Sequence, residues 1–171
     1  MTFIAGQVLT AADLNSAIAG AGGLLLTGSA TLSADSSKSL NNVFSSTYKT
    51  HRVYYSLATA ASTANLKVTM RVAGVDNTSS NYADSEGTSG GAFMICWKAN
   101  VGGGWGFFDV FNAAFAVPTD VVAQYGTART APTVGSIAAG HNVSAAYDGF
   151  TVTPSTSTLT GTIWVYGLVA A

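Results

Sequence analysis

The amino-acid sequence predicts a mainly β protein: an antiparallel β-sandwich, jelly-roll-like, preceded by a short N-terminal helix. Strict period-two alternation runs through residues 65–72, where Leu66, Val68, Met70 and Val72 lie on one face and Lys67, Thr69 and Arg71 on the other. About eight such stretches are separated by clusters of Gly, Ser, Thr, Asn and Asp, with no gap long enough for the crossover helices of a parallel sheet. The one helical pattern is confined to residues 1–23.

In that first segment Thr10 caps a helix and Asp13, three residues on, complements its exposed amides. Ala11, Ala12, Leu14, Ala17, Ile18 and Ala19 are good helix formers, and Gly20, Gly22 and Gly23 end the run. So short a helix is marginal alone and must pack against something. The chain thus divides into an N-terminal anchoring segment, 1–23, and a β-sandwich domain, 24–171. Strands are expected at residues 24–32, 52–57, 65–72, 92–98, 105–111, 120–125, 142–153 and 159–168, with one helical turn between 40 and 48. Residues 75–91 are polar and Gly/Ser/Asn-rich, which reads either as a plain solvated connection or as a projecting recognition loop presenting Asp76, Tyr82, Asp84 and Glu86.

Charge is scarce. Seven basic and eight acidic residues make up 9% of 171, against about 25% in an average soluble domain. A globule of this mass exposes about 7,800 Å², or roughly one charge per 500 Å². Net charge is −1 and the basic residues stand singly, so neither nucleic acid nor an anionic membrane has a patch to bind. No charged residue follows Asp148, and the terminal strand is apolar on both sides. Such a strand needs cover on both sides, in the middle of a sheet or against a second copy, which points to a homo-oligomer. No cleavable signal pattern opens the chain and no apolar run approaches the ~20 residues of a spanning helix.

Residues able to do chemistry are few. Cys96 is the single cysteine, alternates with Ile95 and Trp97, and reads as a small buried apolar residue. His51 and His141 sit at strand starts or turns without a Gly-x-Ser-x-Gly context. Asp84 and Glu86 could share a hard cation, but lack the spacing of a regular calcium loop. Asp109, in the aromatic strand Trp105-Gly-Phe-Phe-Asp-Val-Phe, is the suspect for a glycosidase carboxylate, against the plainer role of a surface or backbone-bonded acid. Residues 101–106 resemble a phosphate loop only in their glycines and read as a hairpin turn. The expectation is no catalytic residue, no metal and no cofactor.

The stretch Phe3-Ile-Ala-Gly-Gln-Val-Leu-Thr-Ala-Ala-Asp-Leu-Asn15 resembles the start of many tailed-bacteriophage virion proteins. Further on, Val-Phe-Ser-Ser-x-Tyr (Val43 to Tyr48), Leu66-Lys-Val-Thr-Met-Arg-Val-Ala-Gly74, Tyr82 and Gly161-Thr-Ile-x-Val-Tyr-Gly167 are similar to the small β-domain of phage minor structural proteins. The resemblance implies a non-enzymatic part of the particle, often trimeric, assembled in the host cytoplasm and located in the virion. It implies a short tail fibre or tail-tip component, docked to other virion proteins through Phe3, Val8, Leu9, Leu14 and Ile18, with the sandwich projecting for contact with the host surface. Gly20-Ala-Gly-Gly23 runs straight into the first strand without a shaft, which keeps open the alternative of a capsid decoration or head-fibre protein. A third reading is a carbohydrate-binding or carbohydrate-cleaving sandwich, in which Tyr82, Trp97, Trp105 and Tyr125 stack on sugar rings instead of filling the core.

Overall fold

Alternation along each strand decides what it buries. A computed structural model describes residues 23–59, 63–87, 89–100, 103–127 and 133–168. The predicted helix and the anchor residues Phe3, Val8, Leu9, Leu14 and Ile18 lie outside them. The described residues form thirteen strands: β1 (Leu24–Asp35), β2 (Lys38–Leu40), β3 (Thr50–Thr59), β4 (Thr63–Val72), β5 (Val75–Asp76), β6 (Tyr82–Asp84), β7 (Ser89–Gly91), β8 (Met94–Asn100), β9 (Gly104–Phe111), β10 (Val117–Thr127), β11 (Thr133–Ala145), β12 (Gly149–Pro154) and β13 (Leu159–Leu168). Every pairing is antiparallel, and no helix occurs among the described residues.

One sheet has eight strands in the order β1-β13-β3-β9-β10-β11-β6-β7. The other has five: β2-β12-β4, with β8 and β5 sharing the far side of β4, since β12 already pairs residues 66–71 on the near side. Val53, Tyr55 and Leu57 of β3, Phe108 and Val110 of β9, and Ile163 and Val165 of β13 are buried in one cluster with Leu66, Val68 and Met70 of β4 and Phe150 and Val152 of β12. Phe108 and Phe150 meet edge to face at 5.7 Å across the two layers. This is a β-sandwich, but its eight-plus-five strand count is not the four-on-four of a jelly roll.

Three local expectations are corrected. Residues 40–48 form no helical turn: Val43 and Phe44 are buried, and their amides both donate to the Asp148 carbonyl, at 2.8 and 3.0 Å, leaving only a tight turn at Ser45–Tyr48. The strand expected over 142–153 is two strands, because the chain leaves the eight-stranded sheet at Ala145 and joins the five-stranded one at Gly149. Residues 75–91 are not a projecting loop but carry β5, β6 and β7. Tyr82 is fully buried; its hydroxyl accepts from the Met70 amide at 2.9 Å and donates to the Asn77 carbonyl at 2.8 Å, tying β6 of one sheet to β4 of the other.

Candidate functional site

The two sheets differ on the sides they turn outward. Outside the five-stranded sheet, Ser39, Thr69, Thr151 and Thr153 alternate with Lys67 and Arg71. Arg71 binds Asp76, Asn41, Ser39 and Thr151, and Thr151 donates to Asp76 at 2.6 Å. Water meets a polar network there.

The outer side of the eight-stranded sheet is aromatic. Register places Ser29, Trp164, Tyr54, Phe107, Gln124 and Ser136 in one row across six strands. The adjoining row runs Leu26, Tyr166, Arg52, Asp109, Val122 and Ala138; on the other side lie Thr31, Thr162, Ser56, Trp105, Gly126 and Val134. Tyr54 lies 5.8 Å from both Phe107 and Tyr166. Trp105 is 59% exposed, Val134 83% and Leu26 55%.

Arg52 and Asp109 neutralise each other in the middle of this face, while Asp120, at its end beside Phe111, is exposed. Arg52 makes a two-pronged pair with Asp109, Nε to Oδ1 and Nη2 to Oδ2, both 2.7 Å, and stacks on Phe107 at 4.5 Å. The pair holds the Arg52 guanidinium well above its usual range. Asp109, the suspected glycosidase acid, is therefore a locked partner of Arg52.

Trp105 owes its posture to a glycine. A Cβ on Gly126, directly opposite on β10, would stand 2.8 Å from the indole, so only glycine lets the ring lie down on the sheet with its outer side bare. Tyr125, one residue earlier, faces the other way, is half-buried against the core, and lies over Gly135. Of the aromatics considered as sugar platforms, Tyr82 is buried and Trp105 is exposed; the Trp97 side chain lies outside what the structure describes.

The remaining candidates are structural links. Asp84 accepts from the Ile95 amide at 2.9 Å and the Glu86 amide at 3.0 Å, Asp76 is held by Arg71, and Glu86 is half-buried beside Asp84; the three do not converge as a recognition surface. His51 is buried against Phe44 and Tyr48, accepts from the Ser45 amide at 3.1 Å, and burial lowers its pKa to about 4. His141 places Nε2 2.8 Å from Ser79 Oγ and Nδ1 2.5 Å from the Tyr147 hydroxyl, and its ring stacks on Tyr82 at 3.8 Å.

A serine, a histidine and an orienting group in that order have the outline of a hydrolytic triad. Here the third group is the Tyr147 hydroxyl in place of a carboxylate, and it also accepts from Asn77 Nδ2 at 3.3 Å; which of Ser79 and His141 donates is set by the tautomer of the ring. Burial also pushes the Cys96 thiol up, and among the described residues no three His, Cys, Asp or Glu groups gather to hold a metal.

Sequence reasoning missed the aromatic rows and the Arg52–Asp109 pair. A signal for the rows exists: residues 105–111 alternate Trp, Phe, Asp and Phe against Gly, Phe and Val. No protein-family model matches the chain, and no curated protein matches it by sequence.

Proposed function

We propose that the chain is a non-enzymatic structural protein of a tailed-bacteriophage particle. It is tail-associated, docks by its N-terminal segment and projects the sandwich towards the host. Copies associate through the β1–β13 part of the outer side of the eight-stranded sheet, with a trimer favoured by the family resemblance. The observation that carries this reading is the contrast between the two outer sides: one is a polar network, the other an aromatic surface in which Arg52 and Asp109 neutralise each other. An apolar face of that extent on a chain with 9% charge is best covered by protein. The motif from Phe3 to Asn15 supplies the address, and the scarcity of charge fits life inside an assembly.

Within the face, Leu24, Leu26, Tyr166 and Leu168 cluster where the N-terminal segment joins β1. That corner is assigned to the neighbouring subunit. The alternative site on the capsid exterior uses the same module, and counting copies per particle by mass spectrometry separates the two. Many copies, as in a decorated lattice, mean decoration; threes, sixes or twelves mean a tail part. The docking role is tested by the full chain carrying Leu9→Asp and Leu14→Asp, which is expected to fold and associate yet stay out of particles. Normal incorporation of that variant overturns the anchor.

A further inference from the structure

Trp105 stands between two clefts. On one side lies a space of about 370 Å³ walled by Phe107 and Val134, with the Gln124 amide and Ser136 hydroxyl beside them. On the other lies one of about 430 Å³, lined by Ser56, Ala58, Gly103, Thr160 and Gly161. Both are within the usual size range of small-molecule sites. Neither contains a charged side chain.

The place of these clefts in the fold matters as much as their lining. Leu24 and Leu168 mark one end of the eight-stranded sheet, and Gly104, Thr127 and Thr133 the other. Trp105 is thus at the end opposite the junction with the N-terminal segment, roughly 25 Å from the Leu24–Leu168 corner by strand spacing and rise. A subunit packed on that corner leaves the clefts open.

We infer that this end of the sheet binds a neutral oligosaccharide, one hexose in each cleft with Trp105 as the shared stacking platform. This deepens the host-contact part of the proposed function and rests on it for its biological setting. The chemistry is specific to that ligand class. An aromatic ring is negative over its centre and attracts the C–H side of a pyranose, while amide and hydroxyl groups at the rim match sugar hydroxyls as donors and acceptors. Among the described residues lining the clefts, an anionic sugar, a phosphate or a nucleic acid finds no cation, and an acidic or basic peptide finds no counter-charge. The platform is partly preorganised, because the indole already rests on Gly126.

The experiment is an array of immobilised oligosaccharides, neutral (glucose-, galactose- and mannose-terminated) and sialylated, probed with the full chain. Binding to one or more neutral glycans is expected, weakened roughly tenfold or more by Trp105→Ala. Trp105→Tyr retains most of it, and Thr153→Ala on the other sheet has no effect. Gly126→Ala, which displaces the indole without removing it, weakens binding in the same direction. Sedimentation and thermal melting of each variant accompany the array. No neutral glycan bound, or equal binding by wild type and Trp105→Ala, overturns the inference. So does a Trp105→Ala protein that binds nothing and dissociates, since the clefts are then part of the subunit interface. Particle incorporation is scored separately, so loss of the glycan site and loss of the virion role are told apart.

Discussion

The two outward-facing sides are built from strands of the same period and carry opposite chemistry. Along β4 and β12 every outward position is Lys, Arg or Thr from Lys67 to Arg71 and from Thr151 to Thr153. Along β3, β9 and β13 the outward positions include Tyr54, Phe107, Trp105, Trp164 and Tyr166. An antiparallel sheet needs only one apolar side to make a core, and the five-stranded sheet follows that rule. The eight-stranded sheet has two apolar sides, of which the sandwich interior uses one. The second is the feature that folding alone does not require.

The largest effect that would break this contrast is on association. Trp164→Glu puts a carboxylate in the middle of the aromatic row, between Ser29 and Tyr54. It is expected to weaken self-association by about 100-fold or more, the scale of a hot-spot residue, while circular dichroism stays native. Thr153→Glu on the polar side leaves association unchanged. A wild-type chain that already sediments at micromolar concentration as a clean 17.3 kDa species removes the oligomer claim outright.

Interior groups respond to pH instead. Folded His51 takes up a proton only near pH 4, against 6.5 for a free imidazole, because charging it means charging a buried ring. The pKa of His141 is lowered for the same reason. The folded state is the poorer proton acceptor at both sites, so stability is complete above pH 6.5 and drains as pH falls towards 4. A melting series from pH 7.5 to 4.5 is expected to show a drop of several degrees, much reduced in the double variant His51→Gln, His141→Gln. A flat profile contradicts the burial of these rings.

How much of this was legible in the sequence depends on whether the signal was local. The alternation of residues 65–72 named both sides of β4 correctly, since Lys, Thr and Arg opposite Leu, Val and Met leave no choice of face. Residues 105–111 alternate as clearly, but Trp105 and Phe107 oppose Phe108 and Val110, and an apolar residue on either side gives periodicity no way to say which is outside. Tyr82 was misplaced because one aromatic in a Ser/Asn/Gly stretch has no periodic neighbours; its burial follows from a bond to Met70, twelve residues away on the other sheet. Tyr147 interrupted an apparent single strand for a similar reason: its amide bonds to Ala113, and the chain crosses between layers there. Arg52 and Asp109 are 57 residues apart and paired only by strand order, which no local pattern encodes.

That pair gives an intermediate effect. Arg52→Ala leaves the Asp109 carboxylate half-buried among Phe107, Tyr54 and its own strand without its two-pronged partner, and is expected to cost about 1–3 kcal/mol in denaturant unfolding. Arg52→Leu together with Asp109→Leu restores most of it, because two apolar residues suit that side of the sheet. If the double variant is as unstable as the single one, the charges are needed for themselves, and the face is less apolar in character than its rings suggest.

The smallest effect belongs to the polar side. Lys67 rests its ammonium 4.3 Å from the centre of the Phe93 ring, the cation–aromatic contact that side offers among the described residues. Unlike Arg52, which is fixed by two short bonds to a carboxylate, Lys67 holds one ring with a flexible, hydrated head. Water competes for the charge, and ordering the long stem costs entropy. Lys67→Ala is expected to lower stability by about 0.5–1 kcal/mol and to leave self-association unchanged. Raising salt should hardly alter the difference, since the ring carries no net charge to screen. A loss comparable with that of Arg52→Ala would make this one ring contact as costly to remove as a two-pronged ion pair, and cation–ring contacts would no longer distinguish the two outer sides.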